Sequence, residues 1–183
     1  MARKETVTIQ MILDTAFEMV KTEGFESITA RRVASAVGCS TQPVFRVFKN
    51  MSELQSAVYF RAIRYFQEYI DTVKKVSDIP FVNLGLAYIS FAREEQNYFK
   101  LLFVNGIPEG KSMYEIINGQ DGKVSAEINK SRTLGCDEPA EMFMRMWIFI
   151  HGSACMTLTG DYDLEDDETV MLLERSYEAF KTS

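Results

Sequence analysis

The run Thr29-Ala30-Arg31-Arg32-Val33-Ala34-Ser35-Ala36-Val37-Gly38-Cys39-Ser40-Thr41-Gln42-Pro43-Val44-Phe45-Arg46-Val47-Phe48-Lys49-Asn50 decides how this chain reads. It spells two short helices and a tight turn. Thr29 can cap the first helix, with Ile28 and Val33 flanking it as a hydrophobic staple. Val33, Ala34 and Val37 face inward, and Gly38 ends the helix where a left-handed residue is usual. Ser40 opens the second helix, with Cys39 and Val44 as its staple. Pro43 falls in the first turn, where its missing N–H would have no helical partner, so the Ser40 hydroxyl is expected to cap the N–H of Gln42. Val44, Phe45 and Phe48 supply the apolar side and are expected in the core. Asn50, followed by Glu53, caps the next helix as a capping-box variant.

The helical period continues on both sides. Ile9, Ile12, Leu13, Ala16, Phe17 and Val20 form one stripe, which predicts a helix from about Thr8 to Glu23, stopped by Gly24. Leu54, Val58, Ala62, Tyr65, Tyr69 and Val73 predict a fourth helix of about 25 residues ending before Ser77-Asp78-Ile79-Pro80. Residues 81–93 are apolar on most sides, as in a buried central helix. A short helix over 97–104, a helical stretch over 112–132 broken at 118–122, a long helix capped by Asp137 with Pro139 in its first turn, and a last helix over 168–181 follow. No stretch alternates with period two. The expected fold class is all-α, with about nine helices.

Composition narrows the function. The net charge is −6, but residues 1–55 carry seven Lys/Arg against six Asp/Glu, and the remaining residues thirteen against twenty. Ser27 to Ser52 holds Arg31, Arg32, Arg46 and Lys49 and no acid, the local basic patch of a nucleic-acid module on an otherwise acidic protein. Arg31 and Arg32 begin a helix, where cations oppose the dipole, which favours a phosphate role. Three widely spaced cysteines without a C-x-x-C pair, no long apolar run and no secretory leader point to a reducing, cytoplasmic setting with no membrane partner. No nucleophile elbow, Walker loop, dinucleotide fingerprint or H-E-x-x-H is present, so no enzyme, cofactor or metal is expected. His151, the sole histidine, is read as a core, interface or ligand-anchoring residue.

A helix beginning with the small polar residues Ser40, Thr41 and Gln42 after a glycine turn suits a reader of the major groove, since glutamine can bond adenine bidentately and the helix N-terminus favours phosphate. The order Gly24-Phe25-Glu26-Ser27-Ile28-Thr29, Val33 to Ser40, Val44 to Asn50 and Glu53-Leu54 resembles the tetracycline-repressor (TetR) family of bacterial transcription regulators over roughly residues 5–58. Trp147 with His151-Gly152 looks like a tail found in part of that family. The resemblance implies a helix-turn-helix domain over 1–50, an effector-binding and dimerisation domain over 51–183, and a homodimer on palindromic operator DNA, most simply as a repressor. It places Thr29, Arg31, Ser40, Thr41, Gln42, Pro43, Phe45, Arg46 and Lys49 at the DNA. Phe45 and Met51 depart from it, standing where the family usually has Tyr and Lys near phosphate. They keep open an alternative, a helical ligand- or protein-binding module with weakened DNA binding.

The remainder of the chain suggests a pocket and an interface. Tyr88, Phe91, Phe99, Phe103, Phe143, Met144, Trp147 and His151 are the candidates to line a site for a small apolar or aromatic effector. Val170, Leu173, Tyr177 and Phe180 repeat at three and four, a stripe with no obvious partner in a monomer. Gly152, in mid-helix, suits a close approach between subunits.

Overall fold

The computed structural model describes residues 7–107 and 110–181, and among these there are ten α-helices and no strand. They are α1 (Ile9–Glu23), α2 (Ala30–Val37), α3 (Thr41–Val47), α4 (Met51–Thr72), α5 (Val82–Glu94), α6 (Gln96–Phe99), α7 (Met113–Asn118), α8 (Lys123–Thr133), α9 (Pro139–Thr159) and α10 (Asp166–Lys181). The chain divides into two compact units. The first comprises residues 1–65 and 97–110, the second residues 66–96 and 111–183. Residues 51–65 of α4 and the later segment cluster with α1 to α3 in the first unit.

In the first unit the Thr8 hydroxyl caps α1 by accepting the N–H of Met11. Ile12, Ala16, Phe17, Val20, Val33, Val44, Leu54 and Val58 form the core. Residues 97–110 return to α1. The Tyr98 hydroxyl donates to the Phe17 carbonyl at 3.0 Å, Asn97 Nδ2 donates to the Lys21 carbonyl at 2.8 Å, and the Tyr98 ring stacks on Phe17 with centroids 4.6 Å apart. The Arg61 guanidinium lies 4.4 Å above the same Phe17 ring and bonds Asp14, holding that carboxyl below its ordinary value. Beyond α6 the chain widens into a π-helical turn, Lys100–Asn105.

In the second unit α5 is central, with ten buried residues, and packs chiefly on α9 and α10. Gly85 permits that packing. A Cβ there would lie 2.9 Å from Ile150 Cδ1 and 3.2 Å from Leu173 Cδ1. Phe81, at φ 68°, turns the chain into α5, and its N–H donates to the Glu127 carboxylate at 3.1 Å. A reciprocal capping box between Ser112 and Glu115 starts α7. The start of α9 corrects the sequence expectation. Glu138, not Asp137, is the cap residue, because Pro139 occupies the first helical position and forces the residue before it out of the helical region. Helix α10 starts earlier than expected, since Asp166, Asp167 and Glu168 suit its positive end.

Tyr177 on α10 is 1% exposed, and among the described residues its hydroxyl faces the Ser131 hydroxyl without a well-formed hydrogen bond, because that hydroxyl donates to the Glu127 carbonyl. A buried phenol in this state is a liability of about 1–3 kcal/mol. Tyr177→Phe is therefore expected to hold or raise the urea midpoint. A loss above about 1 kcal/mol would mean that the hydroxyl is satisfied.

Candidate nucleic-acid interface

The turn between α2 and α3 is built by Gly38, at φ 78° and ψ 32°, a left-handed conformation that glycine adopts without the Cβ penalty. Its N–H returns to the carbonyls of Ala34 and Ser35, and that of Cys39 to Ala34, which closes the end of α2. The Thr29 hydroxyl accepts the Arg32 N–H at the start of α2, as the sequence suggested. At the start of α3 the expectation fails. Ser40 has the extended geometry of a cap, but its hydroxyl accepts no helix N–H. The helix is anchored instead by the burial of Val44 and Phe48, and the Ser40 hydroxyl stays outward with the other polar groups of the first turn.

Ser40, Gln42, Phe45 and Arg46 are exposed on α3, and with Pro43 they line a shallow recess of about 590 Å³. Thr41 is half-buried, and Thr29 and Lys49 are exposed. Phe45 corrects a second expectation. It is 46% exposed rather than core, since the short α3 turns only its Val44 edge toward the unit. Arg32 pairs with Glu23 on α1, so it is engaged within the protein. The side chains of Arg31, Arg46 and Lys49 pair with no acid among the described residues; Arg31 stands at the start of α2, Arg46 in the last turn of α3 and Lys49 just beyond it. The start of α4 is set by Asn50, whose side chain accepts the Glu53 N–H at 2.9 Å, while the Glu53 carboxylate accepts the Lys49 N–H. Met51 is half-buried there.

Residues 12–58 match the family model described as bacterial regulatory proteins, tetR family. The helix-turn-helix domain is a tetR-family domain. Whole-chain likenesses agree on the fold. A protein described as a TetR-family transcriptional regulator from Vibrio parahaemolyticus matches at 17% identity and TM-score 0.65, covering 93% of this chain and 97% of its own. One so described from Rhodococcus sp. matches at 13% identity and TM-score 0.60, covering 94% and 97%. A transcriptional regulator from Pseudomonas aeruginosa PAO1 matches at 13% and TM-score 0.62, covering 95% and 90%. No match is found among curated proteins. The chain therefore has the fold of a TetR-family transcriptional regulator with its DNA-binding domain. No helix among the described residues is long and apolar enough to cross a membrane.

Outside the tetR-family domain the expected pocket residues fall in both units. Phe99 and Phe103 belong to the first unit, with rings 5.2 Å apart. In the second unit Tyr88 and Phe91 are fully buried, and the rings of Tyr88 and Phe143 pack on Trp147 at 4.9 and 5.9 Å. Aromatic content was legible in the sequence, and these side chains pack on one another. Met144 is 54% exposed and faces away. A recess of about 810 Å³ opens elsewhere in the second unit, and its lining is polar, with Asp71, Lys75, Asp78, Asn83, Lys123 and Glu127 among its residues.

The expected interface stripe is also corrected. Leu173 and Tyr177 are buried in the protomer's own core, and Val170 and Phe180 are half-buried. The exposed apolar residues lie instead on α9, where Met144, Ile148 and Met156 recur every fourth residue with Gly152 completing the row, and on α10 at Met171. Nothing lies within 4 Å of a Cβ built on Gly152.

One constellation escaped sequence reading. His151 and Cys155, four apart on α9, bring Nε2 and Sγ to 3.5 Å, and His151 Nδ1 lies 2.9 Å from the Tyr88 hydroxyl. Burial lowers the His151 pKa and raises those of Tyr88 and Cys155. The H-x-x-x-C spacing was the available signal.

Proposed function

We propose that the protein is an effector-responsive repressor that binds a palindromic operator as a homodimer and acts by binding rather than by turnover, in the cytoplasm. The observation that carries this is the exposed face of α3, where Ser40, Gln42 and Arg46 line one recess, with the Arg31 and Lys49 side chains paired to no acid among the described residues. Bases are read by Gln42 and Thr41, and phosphates by Thr29, Arg31, Arg46 and Lys49. The effector is a small apolar or aromatic molecule received by the second unit among the aromatic side chains around Trp147. Helix α4, which contributes residues to both units, is the element whose position the effector biases.

The test is an electrophoretic shift with the duplex upstream of the protein's own gene. Gln42→Ala should weaken operator binding by about 1–3 kcal/mol and relax base preference, whereas Arg46→Ala should weaken operator and scrambled DNA alike and flatten the salt slope by about 1. An unchanged operator-to-scrambled ratio in Gln42→Ala would remove Gln42 from base reading. If no duplex is shifted at low salt, the DNA role fails, and the alternative of a helical ligand- or protein-binding module stands, with Phe45 and Met51 as its cause.

The homodimer forms through the exposed α9 row. An exposed apolar ridge around a glycine suits close helix packing. Sedimentation at micromolar concentration should give a dimer, and Ile148→Glu should shift it to monomer with helix content intact. Ile148 is 66% exposed, so the acid costs the protomer little. A dimer that survives Ile148→Glu would put the interface elsewhere.

A further inference from the structure

We propose that His151 and Cys155 are half of a tetrahedral site for a borderline-soft divalent metal of the zinc class, completed by the same pair from a second copy of the chain. The inference rests on the homodimer reading. A metal ion with a nitrogen ligand at about 2.0–2.1 Å and a thiolate at about 2.3 Å, set at the tetrahedral angle, holds the two ligand atoms about 3.6 Å apart. His151 Nε2 and Cys155 Sγ already stand 3.5 Å apart. Their i, i+4 spacing stacks them on one face of α9.

Two ligands are half of the four that a closed zinc-class site takes, and no group of three or more His, Cys, Asp or Glu side chains capable of holding a metal occurs among the described residues. No third side chain among the described residues supplies the missing ligands, and a second copy of the chain does. The pair's place on the helix points to that copy. At 3.6 residues per turn Cys155 projects within about 20° of Ile148, the most exposed large apolar residue on α9. Gly152 lies between the two ligands with open space around it, so an equivalent helix can approach closely there. With Nε2 on the metal, the imidazole proton sits on Nδ1 and donates to the Tyr88 oxygen 2.9 Å away, which makes Tyr88 a positioning residue that fixes the ring. Each Cys155 binds as thiolate and releases one proton to solvent.

The test uses the full chain, reduced and stripped with chelator, and cobalt(II) alone as the probe. A thiolate-to-cobalt charge-transfer band and the intense visible bands of tetrahedral cobalt should appear and saturate at one cobalt per two chains. Cys155→Ser, a change of one atom, should abolish the charge-transfer band, while Cys39→Ser with Cys136→Ser leaves it unchanged. Tyr88→Phe should weaken cobalt binding about 10- to 100-fold without removing the bands. Absence of the band, its survival in Cys155→Ser, or saturation at one cobalt per chain overturns the proposal. Sedimentation of the metal-free protein separates the two readings. A monomer overturns the homodimer and this site together, whereas a dimer without the band overturns the site alone.

Discussion

Phe17→Ala should cost the DNA-binding unit about 3–5 kcal/mol, the usual loss for truncating a buried aromatic ring. Three contacts converge on that one side chain. Tyr98 stacks on it at 4.6 Å, Tyr65 meets its edge at 5.8 Å, the Arg61 guanidinium covers it at 4.4 Å, and Arg61 is itself fixed by Asp14. Removing the ring leaves a cavity and takes away the cation–π partner together. Against a typical total of about 5–15 kcal/mol, the loss is enough to populate the unfolded unit. Urea denaturation monitored by helix content measures it, and DNA binding should fall in parallel. Phe17→Leu keeps most of the volume and should lose about half as much or less. An alanine variant less than about 1 kcal/mol below wild type would show that α1 repacks without the ring.

Gly85→Leu should cost the second unit about 1–3 kcal/mol or more, for the opposite reason, since it adds atoms where there is no room. Even a single Cβ at this position would stand 2.9 Å from Ile150 Cδ1 and 3.1 Å from Ile150 Cγ1. Those atoms are the far end of a flexible side chain and can yield a few tenths of an ångström. Gly85→Ala also gains about 1 kcal/mol of helix propensity, so it should come out near neutral. Leucine exceeds what a rotamer shift can absorb. Combining Gly85→Leu with Ile150→Ala should recover part of the loss, a non-additivity of about 0.5–3 kcal/mol that identifies the clash as its source. Strict additivity of the two changes would mean that the new side chain goes elsewhere.

The helices were legible because their signals are local. Gly24 and Gly38 stop α1 and α2, Thr29 caps α2, and Asn50 with Glu53 starts α4, each within four residues of its partner. What the sequence did not resolve depends on the partner of an apolar face rather than on its existence. The stripe containing Leu173 and Tyr177 was correctly apolar, but periodicity carries no label for whether α5 of the same chain or a symmetry mate covers it. Phe45 beside Val44 looked like core for the same reason. One residue advances the helix by about 100°, enough on a seven-residue helix to carry a ring from buried to exposed. For the aromatic cluster around Trp147, composition reports how much apolar volume is present and is silent on whether any of the enclosed space is left over. The His151–Cys155 pair stands in the sequence four residues apart, but two ligands fall short of the four that a metal-binding motif spells out, so the spacing carries no signal by itself.

The return of residues 97–110 to α1 has a consequence for synthesis on the ribosome. The chain that will read DNA is complete as a sequence by Tyr65, yet its compact unit also requires the stretch ending at Gly110. At about 5–20 residues per second, the intervening 45 residues take about two to nine seconds to make. Throughout that interval the nascent α1 lacks the Tyr98 ring that stacks on Phe17 and the two side chains that bond the Phe17 and Lys21 carbonyls. The first unit therefore cannot close until the stretch ending at Gly110 has been made, by which point residues 66–96 of the second unit have been translated as well.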